Sequence, residues 1–270
     1  MREAHFKKRA NELLATADIR VNGDRPWDMQ IHNPALYQRI FAEGSMGLGE
    51  AYMDGWWDAV HLDEFFNRLL AARIDQQVVT FTDFLTVASA RLRNLQRPSR
   101  AYEIGQRHYD IGNTLYQRML GKHLVYSCGY WQDADNLDAA QLAKLDLVCR
   151  KLKLKPGMRV LDIGCGWGEA LKFAAENYGV ELVGVTVSQN QADYGRQLCR
   201  GLPVDIRLQD YRELDEKFDR VFSIGMFEHV GYKNYHTYMD VARHCVTDDG
   251  LFLLHCIGTP KSLKATDPWI

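Results

Sequence analysis

The sequence predicts an α/β protein: an open, mostly parallel sheet covered by helices on both faces, preceded by a small helical part. Three observations lead there. From about residue 101 onward, strand and helix patterns alternate, as they do when crossover helices join parallel strands. The first clear strand runs into a glycine loop, Val160-Leu-Asp-Ile-Gly-Cys-Gly-Trp-Gly168. The first ninety-odd residues instead show helical apolar spacing, with no strand leading into a glycine turn.

In the N-terminal part, Leu62, Phe65, Phe66, Leu69 and Leu70 stripe one helix, and Val78, Phe81, Leu85, Ala88 and Leu92 stripe the next. Ahead of them lies a glycine- and aromatic-rich stretch, Gly44 to Trp57. Its four glycines predict tight turns, and Trp56 and Trp57 are expected to close a small helical core. Between residues 91 and 107 the character changes: Arg91, Arg93, Arg97, Arg100 and Arg107 stand against the single acid Glu103, around Pro98. This reads as a solvated basic joint. The expected division is a helical domain over 1–95, a basic linker over 96–107 and an α/β domain over 108–270.

Within the α/β part, a helix over Leu142–Leu152 ends at the turn Lys155-Pro156-Gly157. A buried strand over Met158–Ile163 follows, with further strands expected at Glu181–Val187, Val204–Leu208, Asp219–Ile224 and Gly250–Cys256.

Composition narrows the function. Apolar residues make up 46% and charged residues 25%, an ordinary globular balance, and the net charge is −2. A global pull toward nucleic acid is therefore not expected. No run of eighteen apolar residues could span a membrane, and Met1–Ala10 does not resemble a signal peptide. The six cysteines form no Cys-x-x-Cys pair and read as reduced, cytosolic thiols; no metal site is expected.

In open parallel sheets, ligands bind outside the carboxyl ends of the strands. Asp162, Gly164, Cys165, Gly166, Trp167 and Gly168 fall there, and the glycines let backbone approach a ligand closely. Two nucleotide cofactors compete for such a loop. A nicotinamide dinucleotide site calls for Gly-x-Gly-x-x-Gly and an acid closing the second strand. This loop reads Gly-x-Gly-x-Gly, and the second strand ends in Val185-Thr186-Val187-Ser188 without an acid. The nicotinamide reading is disfavoured. Thr186, Ser188 and Gln191 can hydrogen-bond ribose hydroxyls, and Gln209, Asp210 and Tyr211 after the third strand are placed to read an adenine edge, a role favoured for Asp210 over capping its own loop.

Several ordered motifs then form a pattern: Leu48-Gly-Glu-Ala-Tyr-Met-Asp-Gly-Trp-Trp57, His108-Tyr-Asp-Ile-Gly-Asn113, Tyr126-Ser-Cys-Gly-Tyr-Trp131, the glycine loop, Gly225-Met-Phe-Glu-His-Val-Gly231 and Leu254-His-Cys-Ile-Gly258. Together they resemble the cyclopropane-fatty-acyl-phospholipid synthase family over nearly the whole chain. The related mycolic acid cyclopropane synthases share the catalytic motifs but begin near residue 100, so the helical part favours the phospholipid enzymes. The resemblance implies a Rossmann-like class I methyltransferase domain, C-terminally incomplete, preceded by a small helical domain that binds lipid and pairs subunits.

It also implies a reaction. S-adenosylmethionine gives a methylene unit to the cis double bond of an unsaturated phospholipid, forming a cyclopropane ring, with bound bicarbonate as the base. Cys128, Glu228, His255 and the backbone of Ile257 match the bicarbonate site, and Tyr126 and Ser127 match cofactor contacts. An isolated alkene is a poor nucleophile, so orientation and water exclusion carry most of the work. The aromatic faces of Tyr126, Tyr130, Trp131 and Phe227 are candidates to stabilise positive charge on the acyl chain. The implied setting is cytoplasmic and peripheral to the membrane, as a homodimer, with membrane contact through apolar insertion and local arginines.

Three departures stand out. Thr114 replaces a usual acid, and Glu169 a usual glycine. The chain also stops at Asp267-Pro-Trp-Ile270, before two further strands and a tyrosine of the bicarbonate site. From this we expect a segment of a longer enzyme, with little or no activity by itself. The alternatives are a methyltransferase for another hydrophobic acceptor and an inactive cofactor- or membrane-binding fragment.

Overall fold

The computed structural model describes residues 2–74 and 113–258. The stripe Val78–Leu92, the arginine-rich stretch 91–107, the motif residues 108–112 and the end at Asp267–Ile270 lie outside the described residues. The described residues belong to two compact units.

The helical unit contains α1 (Arg2–Thr16), α2 (Leu36–Glu43), α3 (Ser45–Met53) and α4 (Leu62–Ala71). Two short strands, β1 (Gln30–Ile31) and β2 (Trp57–Asp58), pair antiparallel among them. Trp57 is the centre of this unit's core: it is 1% exposed, lies against Phe65 with ring centroids 4.9 Å apart, and donates its indole N–H to the Leu48 carbonyl at 2.9 Å. Trp56 is half-buried beneath the Arg39 guanidinium, 4.9 Å from its ring. The glycines divide differently from the turn expectation. Gly44 and Gly55 have positive φ and do make turns, but Gly47 and Gly49 lie inside α3. The reason at Gly47 is steric: a Cβ there would sit 2.6 Å from the Arg39 carbonyl oxygen, so α3 packs against α2 backbone to backbone.

The α/β unit contains α5 (Asn113–Met119), α6 (Leu137–Lys151), β3 (Arg159–Ile163), α7 (Glu169–Tyr178), β4 (Glu181–Thr186), α8 (Gln189–Leu198), β5 (Val204–Leu208), β6 (Phe218–Ile224), α9 (Phe227–Val230), α10 (Tyr235–Cys245) and β7 (Val246–His255). The five strands form one parallel sheet in the order β5-β4-β3-β6-β7. The chain builds outward from β3 to β5, then returns across β3 to place β6 and β7. The order therefore reverses at β3, whose carboxyl end carries the glycine loop.

Alternate residues along each strand feed two cores. Val160, Leu182, Ile206 and Phe222 pack on one face with Leu171 and Ala174 of α7 and Ala192 of α8. Leu161, Ile163, Val183, Val185 and Val221 pack on the other with Tyr238, Ala242 and Cys245 of α10. The sheet is covered on both faces, as the alternating pattern predicts.

Two boundaries move by several residues. α6 starts at Leu137 rather than Leu142, because the Asn136 side chain caps it by accepting from the Ala139 N–H at 2.9 Å. β7 starts at Val246 rather than Gly250. The register runs from Phe218 opposite Val246 to Arg220 opposite Leu251, so this irregularity takes up an excess of three residues within 247–250.

Candidate active site

The site forms where the sheet order reverses. Gly164 and Cys165 both donate their N–H groups to the Val185 carbonyl, at 3.1 and 3.0 Å, bending the chain off β3 toward the end of β4. Gly164, Gly166 and Gly168 hold φ values of 93°, 54° and 89°. Their surroundings differ. A Cβ on Gly166 would enter open space, one on Gly164 would meet the Met226 side chain at 2.6 Å, and one on Gly168 would press on Ile206 at 3.0 Å. Gly166 thus opens the loop to a ligand, while Gly168 lets α7 pack.

The cavity beside this loop is lined by Tyr126, Ser127, Asp162, Gly164, Cys165, Gly166, Trp167, Thr186, Gln191, Gln209 and Tyr211. Three other residues from the sequence reading fall outside the lining. Gly168 packs as described. Ser188 is fully buried and caps α8, accepting from the Gln191 N–H at 3.2 Å. Asp210 closes its own turn: it accepts from the Arg212 N–H at 3.0 Å and pairs with the Arg212 guanidinium at 3.0 Å. Two of its acceptor positions are thus used within the turn. Thr186 donates to the Gln191 side chain at 2.7 Å, so these two polar groups are ordered together at the end of β4.

The cavity also holds groups that sequence reasoning missed. Lys144, on α6, is buried and donates to the Ser127 hydroxyl at 2.8 Å. Gln141, one turn earlier, donates to the Ser127 carbonyl at 2.8 Å and so fixes the loop segment carrying Tyr126 and Ser127. At the start of α7, Glu169 lines the cavity and meets His123 at 2.5 Å, both side chains largely buried. Trp167 donates to the Asn113 side chain at 2.9 Å and lies against Tyr116, 4.8 Å between ring centroids.

Burial dominates the electrostatics. It pushes the Asp162 carboxyl up to about 8, partly opposed by the Lys144 charge. It brings Lys144 down to about 8 against the pull of Cys128 and Asp162. Burial, and then the Lys144 charge, lower His255 as well, which leaves it neutral at pH 7.

The Asp162 shift has a stability consequence. The folded chain binds this proton more tightly than the unfolded chain, so stability falls as pH rises from about 4 to about 8. The ligand-free Asp162→Asn variant should therefore melt several degrees above the parent at pH 8, with the gap closing toward pH 4. Scanning calorimetry at both pH values checks this; equal melting at pH 8 would rule it out.

The four residues at the implied base site meet in two pairs. Cys128 Sγ lies 3.5 Å from His255 Nε2, joining the segment before α6 to the end of β7. The Ile257 N–H donates to Glu228 Oε1 at 2.6 Å, joining α9 to the segment after β7. None of the four lines the cavity, but Ser127 and Met226 beside them do. The His255 Nδ1 atom is buried without a hydrogen-bond partner among the described residues.

Comparison with known proteins accords with this geometry. The family model for mycolic acid cyclopropane synthetase matches residues 96–268. The cyclopropane-fatty-acyl-phospholipid synthase of Escherichia coli is 53% identical over 262 residues, covering 97% of this chain and 69% of that enzyme. Among solved structures, mycolic acid cyclopropane synthase CmaA1 complexed with SAH and CTAB is 39% identical with a TM-score of 0.55, over 57% of this chain and 55% of its own. Coclaurine N-methyltransferase, bound to N-methylheliamine and SAH, is 28% identical with a TM-score of 0.59, over 72% of this chain and 59% of its own. The chain thus spans little more than half of either solved structure. The nucleotide loop at the sheet reversal and these similarities lead to one assignment: the chain belongs to the cyclopropane synthase family of S-adenosylmethionine-dependent methyltransferases.

Proposed function

We propose that this chain carries the cofactor-binding and base-site residues for cyclopropanation of unsaturated phospholipid acyl chains. The observation that supports it best is the meeting of Cys128 with His255, and of Glu228 with Ile257, from segments remote in sequence, beside a cavity suited to S-adenosylmethionine. When bound, S-adenosylmethionine supplies an electrophilic methyl group and bicarbonate a base.

The chain's own residues set the conditions. The glycine loop, Thr186, Gln191 and Gln209 would hold the nucleoside. Tyr126 and Phe227 offer ring faces that resist alkylation while tolerating positive charge. A neutral His255 has one ring nitrogen that donates and one that accepts, so its donor can hold a small oxyanion. Glu228 fixes the Ile257 N–H. Cys128 would act there as a weak donor rather than a nucleophile.

Membrane contact belongs to the same proposal. Among the described residues no helix is long and apolar enough to cross a membrane. The helical unit does expose Met53, Val60 and Leu70, which support shallow apolar contact with a phospholipid surface and with a second copy of the chain.

The test uses methyl-labelled S-adenosylmethionine and vesicles of unsaturated phospholipid, with the lipids read by mass spectrometry. Cyclopropanation gives a gain of one CH₂ and loss of the double bond. A methyl gained with the double bond retained would mean a different acceptor chemistry. Cofactor binding without lipid product would mean that these residues alone bind but do not turn over.

A further inference from the structure

The amino-acid end of S-adenosylmethionine carries an ammonium and a carboxylate on one carbon. A buried site for it needs one group of each sign, neither of them held in a direct ion pair by the protein. The cavity has that arrangement. Asp162 and Lys144 are its two buried ionisable residues of opposite sign, 3% and 4% exposed. Asp162 Oδ1 has no hydrogen-bond partner among the described residues. Lys144 Nζ uses one of its three donors, toward Ser127 Oγ at 2.8 Å.

Such isolation is costly. A buried lysine or carboxylate without a direct ion pair is pushed toward its neutral form, as both of these are, each opposed only in part by the other's charge. Packing alone would be served better by an apolar residue of the same length on α6. A zwitterion bound between them would supply both missing partners at once.

We infer that Lys144 is the cation that receives the cofactor's α-carboxylate, with Ser127 held beside it as a second donor. Asp162 is left for the ammonium. This rests on the cofactor reading above and adds to it a binding residue from outside the loop and strand ends.

The test is calorimetric titration of the full chain with two ligands, S-adenosylhomocysteine and 5′-methylthioadenosine. The second keeps the adenosine and thioether but lacks the amino-acid end. A charge-assisted hydrogen bond lost at a buried site corresponds to about a 10- to 100-fold weaker Kd. Lys144→Met should show that loss for S-adenosylhomocysteine and leave methylthioadenosine within about twofold, while Lys144→Arg retains part of the difference. Ser127→Ala should shift the same ligand in the same direction by less, and it carries the test if Lys144→Met fails to fold.

Equal weakening for both ligands would reduce Lys144 to a packing role and overturn the inference. So would unchanged binding of S-adenosylhomocysteine. A parent chain that binds neither ligand would overturn the cofactor reading itself, and this inference with it.

Discussion

Glu228→Ala is expected to lower ring formation by about 10- to 100-fold, the worth of a lost charge-assisted hydrogen bond at the base site, while leaving the Kd for S-adenosylhomocysteine within about twofold. The separation follows from where the side chain stands. Glu228 is outside the cavity lining, so its loss removes no cofactor contact. Its Oε1 holds the Ile257 N–H at 2.6 Å, and that is its described hydrogen bond. Alanine frees this amide and removes a negative charge facing the base site. Glu228→Gln keeps an acceptor for the amide but not the charge, so it sorts geometry from electrostatics. Product analysis by mass spectrometry beside calorimetry of the same preparations gives both readouts. Full activity in Glu228→Ala would end the base-site assignment.

Gly164→Ala should act on the opposite half of the site and weaken cofactor binding by more than about 100-fold. Two costs coincide there. The residue sits at φ 93°, where an L side chain is strained by about 1–2 kcal/mol. A Cβ would also lie 2.6 Å from Met226 Cγ and 2.7 Å from its Cβ, and the Met226 Cβ cannot swing away as a chain end can. Relief must come from the loop or from the turn before α9, and both border the cavity. Gly166→Ala is the informative partner, since it is strained at φ 54° but meets nothing within 4 Å. It should cost less stability while obstructing the ligand directly. If Gly164→Ala bound S-adenosylhomocysteine like the parent, the loop would not be the cofactor cradle.

Much of the fold was legible because strand burial is written in local pattern. Val204–Leu208 matches the structure end to end, and β3, β4 and β6 differ from expectation by one residue at an end. Misreadings arose where a tertiary contact outweighs local preference. Gly47 sits mid-helix because α2 passes too close for a side chain. β7 starts at Val246, ahead of the expected Gly250, because the chain pairs there with Phe218 before an irregular register brings Leu251 opposite Arg220.

Within the site, loop glycines announce themselves by spacing, whereas Lys144 does not. On α6 it is one polar residue among Gln141, Asp146, Arg150 and Lys151, and such residues ordinarily face water. Only the segment carrying Ser127, laid across α6, takes it out of solvent. Asp210 and Ser188 show the converse. Their position at strand ends points to a ligand, and the structure adds short-range capping as a second role for both side chains.

The six cysteine thiols divide sharply by accessibility. Cys149, Cys165, Cys199 and Cys245 are buried, and burial pushes the Cys149 thiol up to about 12 and Cys199 to about 11. Such thiols are poor nucleophiles at neutral pH. Cys128 and Cys256 are exposed and flank His255, one across the 3.5 Å contact and one next in sequence. The native chain is therefore its own selective labelling target: a mild alkylating probe would concentrate on two positions bracketing one imidazole, with no need to strip the other cysteines first.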